Sequence, residues 1–335
     1  MSFINTASAH EVYVLDVGEV EQAISAPSPN PFTAITGQGW LFLGYGFGIV
    51  VLVAIIFSLS VSRLFERVFD PFLRRLKRYA PFIARLTIGS SLFASGAYGA
   101  LFGPELPLSN LLSPAASSVG SMLLMIAGMM MVLGLLTRVA ALIALSFYVL
   151  AIFEDKIYML TYANYLGEIT LFLILGAGIW SVDRRVKSLS RMDRAFDGLK
   201  HKLEPYAFLI LRILFGGAVF FASFYAKFLH SNLAIQTVAQ YHLTDYFPFS
   251  PLFLVLGAFL VEAVIGIAIA VGFELRFFAI VFTFFLALSI SFFGEAVWPH
   301  VILFGVNLVI FFHGYDRYTL THWLFERKRK GEPVF

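Results

Sequence analysis

The chain has 335 residues, of which 59% are hydrophobic and only 13% are charged, and its mean hydropathy is +0.83. Soluble domains carry roughly 25% charged residues, so this composition excludes a soluble enzyme and predicts a protein that crosses the membrane several times. The absence of cysteine excludes disulfides, thiol catalysis and iron–sulfur clusters. The net charge of +3 gives no indication of nucleic-acid binding.

The first 39 residues form a polar segment without lysine or arginine. A secretory signal peptide needs a basic start followed directly by an apolar stretch, and neither is present. Prolines among serine and asparagine neighbours near the end of this segment are typical of a loop. We therefore predict a poorly ordered, uncleaved tail with four acidic residues, Glu11, Asp16, Glu19 and Glu21.

Nine apolar stretches follow, each close to the roughly 20 residues that a membrane-spanning helix needs. They predict an all-α polytopic membrane protein with nine transmembrane helices, arranged as one extra helix and two groups of four. The predicted spans are residues 40–62, 81–103, 117–136, 139–153, 164–182, 206–228, 251–272, 277–293 and 300–316.

Most lysine and arginine residues lie in every second connection between the predicted spans. Cytoplasmic connections are rich in these residues, so the pattern predicts an N-terminus outside and a C-terminus inside, N-out/C-in. We expect a multi-pass protein of the cytoplasmic (inner) membrane of a prokaryote, in contact with the lipid bilayer. The basic connections are residues 63–80, 137–138, 183–205, 273–276 and 317–335.

Two parts of the sequence resemble each other. Both predicted four-helix units start from the cytoplasm, so their pseudo-axis is expected to run along the membrane normal. The matching pairs are RLTIGSSLFASGAYGALFG (85–103) with RILFGGAVFFASFYAKFLH (212–230), GLLTR (134–138) with GFELR (272–276), and Asp183 with Asp316.

This repeat divides the chain into six predicted parts. The four-helix bundles are flanked by a tail, by linkers and by the extra helix. The parts are an extracytoplasmic polar tail (1–39), the extra helix with a basic linker (40–80), a first bundle (81–184), a cytoplasmic linker (185–205), a second bundle that holds the candidate site (206–316) and a basic cytoplasmic tail (317–335).

The pattern within each unit resembles the DoxX/DoxD family. The shared features are an arginine and small residues that open the first helix, a lysine near its outer end, a glutamate in the next helix, a Gly-x-x-x-Arg turn and a closing Asp. The second unit has the full set and the first has Ala100 and Leu124 in place of the lysine and the glutamate. The residues are Arg212, Gly216, Lys227, Glu262, Gly272, Arg276 and Asp316 in the second unit, and Arg85, Gly89, Gly134, Arg138 and Asp183 in the first.

The resemblance implies a quinone-linked membrane role, because the family is named for small membrane subunits of a thiosulfate:quinone oxidoreductase. It implies quinone as the cofactor and other protein subunits as partners. The missing lysine and glutamate in the first unit suggest one active and one structural bundle. If the protein is an enzyme, the resemblance implies a subunit of a quinone-linked oxidoreductase.

Ionisable side chains inside the membrane are costly, so each needs a partner or a purpose. Glu262, Arg212 and Asn307 fall near mid-membrane in three helices of the second unit. One hypothesis is a polar pocket for a quinone head group or a proton path, with Glu262, Arg212 and Lys227 as the catalytic set. The other is a structural Arg212–Glu262 pair. Lys227 is expected to extend towards the outer interface.

A second set of polar residues lies on the outer side. Residues 231–243 have the spacing of a short interfacial helix, which could roof the second bundle. With Asn307, we predict His300, Tyr241 and His242 as ligand-binding residues. No histidine pair has a ligand spacing, so we expect neither a metal site nor haem. Glu168 and Glu295 are further acidic residues on this side.

Three function classes remain open on the sequence. The first is a quinone-interacting membrane subunit of a redox complex. The second is a non-catalytic scaffold or assembly factor of a respiratory or detoxification complex, whose polar residues only fix packing. The third is a small-solute transporter, although no interrupted pair of helices forms a midplane site.

Overall fold

The computed structural model describes residues 15, 17–37, 39–62, 64–154, 156–186, 196–293, 297–324 and 334. These residues are helical or irregular and contain no strand, and a single isolated bridge joins Ala100 to Pro107. The main helices are α1 (Val17–Ser25), α2 (Gly39–Ser62), α3 (Leu64–Lys77), α4 (Ala80–Tyr98), α5 (Pro114–Leu133), α6 (Thr137–Glu154), α7 (Ala163–Leu175), α8 (Asp197–Ser223), α9 (Ser231–Gln240), α10 (Pro251–Val271), α11 (Leu275–Phe293) and α12 (Val297–His313).

Proline and glycine set the bounds of two long helices. Helix α5 starts at Pro114 and α10 starts at Pro251. The backbone N–H of the first helical residue has no acceptor within the helix, so proline, which lacks this N–H, costs no hydrogen bond there. Each is followed by a glycine with positive φ, Gly134 at 65° and Gly272 at 76°. Glycine adopts this left-handed conformation without steric strain, so both helices end sharply before a tight turn.

The described part of the chain has six helices that are long and apolar enough to cross a membrane. The protein is therefore a multi-pass membrane protein. Helices also occupy the other three predicted spans, in α2, α4 and α12. The six are Pro114–Leu133, Thr137–Glu154, Tyr158–Leu175, Gly198–Leu229, Pro251–Val271 and Leu275–Phe293.

Eight helices form a closed ring in which each packs against the next one in chain order. The ring runs through α4, α5, α6, α7, α8, α10, α11 and α12, and α12 packs against α4. The fourth helix of each half packs mainly on the first helix of the other half, α7 on α8 and α12 on α4. The two halves therefore interlock, because each supplies a helix that packs on the first helix of the other.

Residues 17–25 and 31–37 are helical, so the predicted poorly ordered tail is wrong for them, whereas residues 26–30 between them are irregular as predicted. Val20 and Ala23 are buried because their spacing places them on one face of α1, which packs on α9. The Ser231 hydroxyl donates to the Pro29 carbonyl over 2.6 Å, and the Asn232 amide donates to the carbonyl oxygens of Ala26 and Pro27. Residues 1–14 and 16 lie outside the described part.

The basic connection at 63–80 is also largely helical rather than a loop. Helix α3 is amphipathic, with Leu73 buried and with Arg74 and Arg75 exposed. Asp70 forms an ion pair with Arg276 at the start of α11. Helix α8 likewise begins within the predicted linker, while residues 187–195 and most of the tail, 325–333 and 335, lie outside the described part.

Candidate functional site

Lys227 and Glu262 form an ion pair inside the membrane-spanning region. The Lys227 Nζ lies 3.0 Å from the Glu262 Oε2, and the side chains are 15% and 13% exposed. Lys227 belongs to a π-helical turn, Phe224–Leu229, that continues α8, while Glu262 lies at the middle of α10. The prediction that Lys227 extends to the outer interface is therefore wrong, since its side chain is engaged by Glu262.

Aromatic residues next to Lys227 and Glu262 in the two helices pack on one another. The ring centroids of Phe228 lie 5.1 Å from Phe224 and 5.7 Å from Phe259, and the N-terminal segment adds Phe32 at 6.0 Å from Phe228. The site thus combines a partly open pair of charges with flat apolar walls. Such an arrangement can hydrogen-bond a polar head group while it holds an apolar ring.

Arg212 does not pair with Glu262, so the predicted Arg212–Glu262 pair is wrong. Its guanidinium donates to the carbonyl oxygen of Ala270 over 2.5 Å and to that of Tyr318. Ala270 follows Glu262 by eight residues, about 12 Å along a helix. The Arg212 guanidinium therefore lies at the C-terminal end of α10, where it satisfies a carbonyl group that the helix itself leaves free.

The surroundings of Arg212 include a buried carboxyl group. Asp316 is buried, and its carboxylate accepts a hydrogen bond from the backbone N–H of Tyr318 over 2.9 Å. These groups belong to the end of the protein that carries the basic connections. Arg212 is consequently a structural residue rather than part of the Lys227–Glu262 site.

Arg85 makes similar contacts with backbone carbonyls in the first half. Its guanidinium donates to the carbonyl oxygens of Ile179 over 3.1 Å and of Trp180 over 2.9 Å. The sequence comparison paired Asp183 with Asp316, but Asp316 does not make the contact that Asp183 makes. The Asp183 carboxylate accepts from the backbone N–H of Leu136, whereas the Thr321 hydroxyl accepts from that of Glu274, so Thr321 takes the place of Asp183.

Asn307 is not brought to the ion pair. Its amide donates to the Ala279 carbonyl and to the Thr283 hydroxyl, each over 2.7 Å, and both partners belong to α11. Asn307 is buried and fastens α12 to α11. The predicted convergence of Arg212, Glu262 and Asn307 on one pocket is therefore not observed.

The outer residues are also dispersed. His300 is buried in α12, Tyr241 donates to the Phe293 carbonyl over 3.0 Å, and His242 is exposed with a φ of 49°. The predicted short helix is present as α9, which packs on α10. Among the described residues, no group of three or more His, Cys, Asp or Glu side chains lies together in a way that could hold a metal ion.

His230, at the start of α9, packs on the ring of Tyr225 with a centroid distance of 4.7 Å. Burial lowers the pKa of His230, because the charged imidazolium loses hydration there. We therefore expect a neutral imidazole at pH 7. It lies on the outer side of the π-helical turn that holds Lys227.

The sequence reasoning missed a buried polar cluster in the first half. Tyr158 donates to the Glu105 carboxylate over 2.9 Å, and Tyr162 also donates to it. The Tyr165 hydroxyl pairs with the hydroxyl of Ser91. A signal was present in the sequence, because Tyr158, Tyr162 and Tyr165 have the i, i+4, i+7 spacing of one helix face. The acidic partner of these tyrosines, Glu105, comes from a distant loop, so sequence spacing alone does not indicate this partner.

Residues 207–295 match the family model of DoxX. The matched segment runs from α8 to α11 and includes Lys227 and Glu262. No curated protein matches the chain. No solved structure matches it either.

Proposed function

We propose that this multi-pass membrane protein with a DoxX domain binds a quinone head group beside the Lys227–Glu262 pair, as the membrane subunit of a redox complex. The observation that carries the proposal is the partly open ion pair between two membrane-spanning helices. Charged residues at this depth are costly, and they are retained where they serve a ligand, a proton or a partner. The π-helical turn supports the same reading, because such turns are frequent at functional sites.

The chemistry of the side chains suits a quinone. The Lys227 ammonium can donate a hydrogen bond to a ring carbonyl, and the Glu262 carboxylate can accept one from a quinol hydroxyl. The rings of Phe224, Phe228 and Phe259 can pack on a flat ring system. The exposed flank of α10, which includes Val261, would allow a lipid-soluble ligand to enter sideways from the bilayer.

The test replaces both members of the pair. Removing one charge leaves the other unpaired and costs about 3–5 kcal/mol, whereas apolar residues in both places can be neutral. We expect Lys227→Met with Glu262→Leu to unfold at the same temperature as the wild type but to lose the quinone that co-purifies from native membranes. The matched control is Val261→Ala, the neighbouring exposed position on α10, which should keep the quinone.

A double variant that is stable and retains its quinone would contradict the proposal. It would favour the scaffold alternative, in which the pair only fixes α8 against α10. One observation supports that alternative. Other buried charges in this protein, those of Arg85 and Arg212, hold helices together by donating to backbone carbonyl oxygens. Loss of the quinone in the single variants alone would not decide between the two, because the single variants are expected to be destabilised.

We further propose that all nine predicted helices cross the inner membrane, with the N-terminus outside. The cysteine-free chain allows single cysteines to be labelled with a membrane-impermeant maleimide on intact cells. Six exposed positions suit the assay. Label should react at Asn110→Cys, Leu160→Cys and Gln240→Cys, and should not react at Arg75→Cys, Arg185→Cys and Arg317→Cys. Labelling of Arg185→Cys from outside would show that the helix count is wrong.

A further inference from the structure

Two pairs of aromatic side chains lie at corresponding places in the two halves of the protein. The ring centroids of Tyr79 and Trp180 are 5.2 Å apart in the first half, and those of Tyr206 and Tyr318 are 5.4 Å apart in the second. Tyr79 and Tyr206 each come six residues before the buried arginine of their half. Trp180 and Tyr318 each come five residues after a helix ends, α7 or α12. Both aromatic pairs therefore lie at helix ends, on the side of the basic connections.

The buried arginines hold both aromatic pairs in place. Arg85 donates to the Trp180 carbonyl over 2.9 Å, and Arg212 donates to the Tyr318 carbonyl. The backbone of the second aromatic residue is thereby tied to the first helix of its half, α4 or α8. Because this contact occurs in both halves, it is a feature of the repeated unit rather than of one loop.

Trp180 has a conformation that a large side chain rarely adopts. Its φ is 58°, in the left-handed region where a Cβ atom causes steric strain. Its side chain is nevertheless 58% exposed, and Phe82 and Tyr79 contact it edge to face. A strained residue persists only where its surroundings hold it, and such residues cluster at sites that bind. Tryptophan and tyrosine are enriched at the membrane–water interface, which is the environment that an exposed indole at a helix end suits.

An exposed arginine lies against each aromatic pair. The guanidinium carbon of Arg78 is 4.7 Å from the ring centroid of Tyr79, and that of Arg317 is 4.4 Å from the ring centroid of Tyr318. Each guanidinium also donates to the hydroxyl of the same tyrosine, which uses one of its five N–H donors. Among the described residues, neither arginine forms a salt bridge. Both can therefore donate to an anion from outside the protein.

Further basic residues lie close to both pairs along the chain. Arg184 and Arg185 are exposed four and five residues after Trp180, and Lys202 is exposed four residues before Tyr206. The positive charge is therefore not limited to the arginine that touches each ring.

Neighbouring acidic residues do not cancel this charge. Asp183 is buried and accepts from two backbone N–H groups, and Asp316 is buried and accepts from a third. Asp70 forms ion pairs with Arg276 and with its own helix. Glu204 has lysines two and four residues before it, so its charge is offset. Both aromatic pairs thus present positive charge beside exposed apolar rings.

We propose that the two aromatic pairs, with Arg78 and Arg317, bind the head groups of two anionic phospholipids. Each guanidinium donates to phosphate oxygens, whose geometry its planar group of N–H donors matches. The rings of Trp180 and Tyr206 lie at the level of the lipid glycerol, between the head group and the acyl chains. The basic neighbours favour an anionic lipid over a zwitterionic one. This proposal does not depend on the quinone site, because it uses no residue of that site.

Native mass spectrometry of the intact protein tests the proposal. The protein in detergent is titrated with phosphatidylglycerol and, separately, with phosphatidylcholine, and the dissociation constant of each bound lipid is measured. We expect two phosphatidylglycerol molecules to bind more tightly than phosphatidylcholine. Arg78→Gln should weaken one of the two sites by about fivefold, the usual contribution of one basic residue at an anionic membrane surface, and Arg317→Gln should weaken the other. The double variant should weaken both.

Lys156→Gln is the matched control. It removes the same charge from an exposed residue, two positions after the end of α6 that is opposite to the basic connections. Both lipid sites should keep their wild-type affinity in this variant. All three positions are exposed, so the variants should unfold at the wild-type temperature in detergent without lipid, which separates an effect on lipid binding from an effect on folding.

Three results would overturn the proposal. Equal affinity for phosphatidylglycerol and phosphatidylcholine would show that the sites do not recognise an anionic head group. Equal affinity in Arg78→Gln, Arg317→Gln and Lys156→Gln would place the bound lipid elsewhere on the protein. Sodium phosphate that displaces phosphatidylglycerol at an equal concentration would show that the sites bind a free anion rather than a lipid.

Discussion

The buried arginines of the described residues all donate to backbone carbonyls, and Arg276 pairs with Asp70 as well. Arg138 donates to Leu173 and Ile174 in the last turn of α7, and Arg276 donates to Phe311 in the last turn of α12. Arg212 does the same for Ala270 in α10. The last four carbonyls of a helix have no intrahelical partner and carry partial negative charge, so a planar guanidinium satisfies them and complements the helix dipole.

This role gives a prediction for Arg212→Lys. An ammonium group cannot reproduce the two-pronged contact with Ala270 and Tyr318, so we expect a loss of stability of about 1.5–3 kcal/mol, the usual value for a hydrogen bond to a charged group. Denaturant titration in detergent measures the loss. The quinone content of the folded fraction should be unchanged.

The control is Arg317→Lys, because Arg317 is exposed and its guanidinium contacts the neighbouring Tyr318 hydroxyl. This change should leave the unfolding midpoint within experimental error. Equal stability of Arg212→Lys and Arg317→Lys would show that the two carbonyl contacts contribute nothing measurable.

The sequence identified the charged residues of the candidate site but not their pairing. Lys227 and Glu262 are conspicuous as charges in apolar helices, and this is a reliable signal. Arg212 has the same signal, yet its partners are carbonyl groups, which have no sequence signature. Glu105 was missed because its tyrosine partners lie more than fifty residues away.

Among the elements, two helix pairs cross at closely similar glycine contacts. A Cβ atom on Gly89 would lie 2.7 Å from the Gly128 carbonyl oxygen, and one on Gly266 would lie 2.7 Å from that of Gly216. The backbones of α4 and α5, and of α8 and α10, therefore approach more closely than any side chain would permit. Such approach is typical of helices in membranes, where packing replaces the hydrophobic effect as the driving force.

Gly216→Ala and Gly217→Ala make a matched pair on α8. A Cβ atom at residue 216 would lie 2.6 Å from the backbone nitrogen of Ala270, whereas a Cβ atom at residue 217 would meet nothing within 4 Å. We expect Gly216→Ala to lower the free energy of unfolding by about 1–3 kcal/mol through overpacking. Gly217→Ala should be neutral or slightly stabilising, because alanine is the better helix former.

Thermal unfolding of the two variants in the same detergent measures the difference. Lys227 lies on α8's continuation and Glu262 on α10, so Gly216→Ala should also weaken quinone retention if the site depends on this crossing. Similar unfolding temperatures for both variants would mean that α8 and α10 can separate without cost.

At the scale of the whole molecule, the positions of the helices could be predicted, but their order in space could not. Apolar length and flanking charges locate each helix, and the turn glycines Gly134 and Gly272 mark two helix ends. The sequence carries no comparable signal for the contact of α7 with α8 or of α12 with α4. These contacts depend on surface shape, which is formed only when both halves are present.

The interlocked ring predicts that neither half is stable alone. Two fragments, 1–190 and 191–335, separate the halves within a connection between α7 and α8. Each fragment expressed by itself exposes the face of α7 or of α8 that is buried in the complete ring, and it also separates α4 from α12. We therefore expect the single fragments to be degraded or to aggregate in the membrane.

Co-expression should rescue both fragments, because the same two contacts hold them together without a covalent link. An affinity tag on one fragment should recover the other in equal amount, with the unfolding temperature lowered relative to the intact chain. The glycine crossings lie within each half and should survive the cut, so Gly216→Ala should destabilise the split protein as much as the intact one. Stable purification of residues 191–335 alone, with the unfolding temperature of the intact chain, would show that the half containing the DoxX domain is an independent unit and that the contacts of α12 with α4 and of α7 with α8 are dispensable.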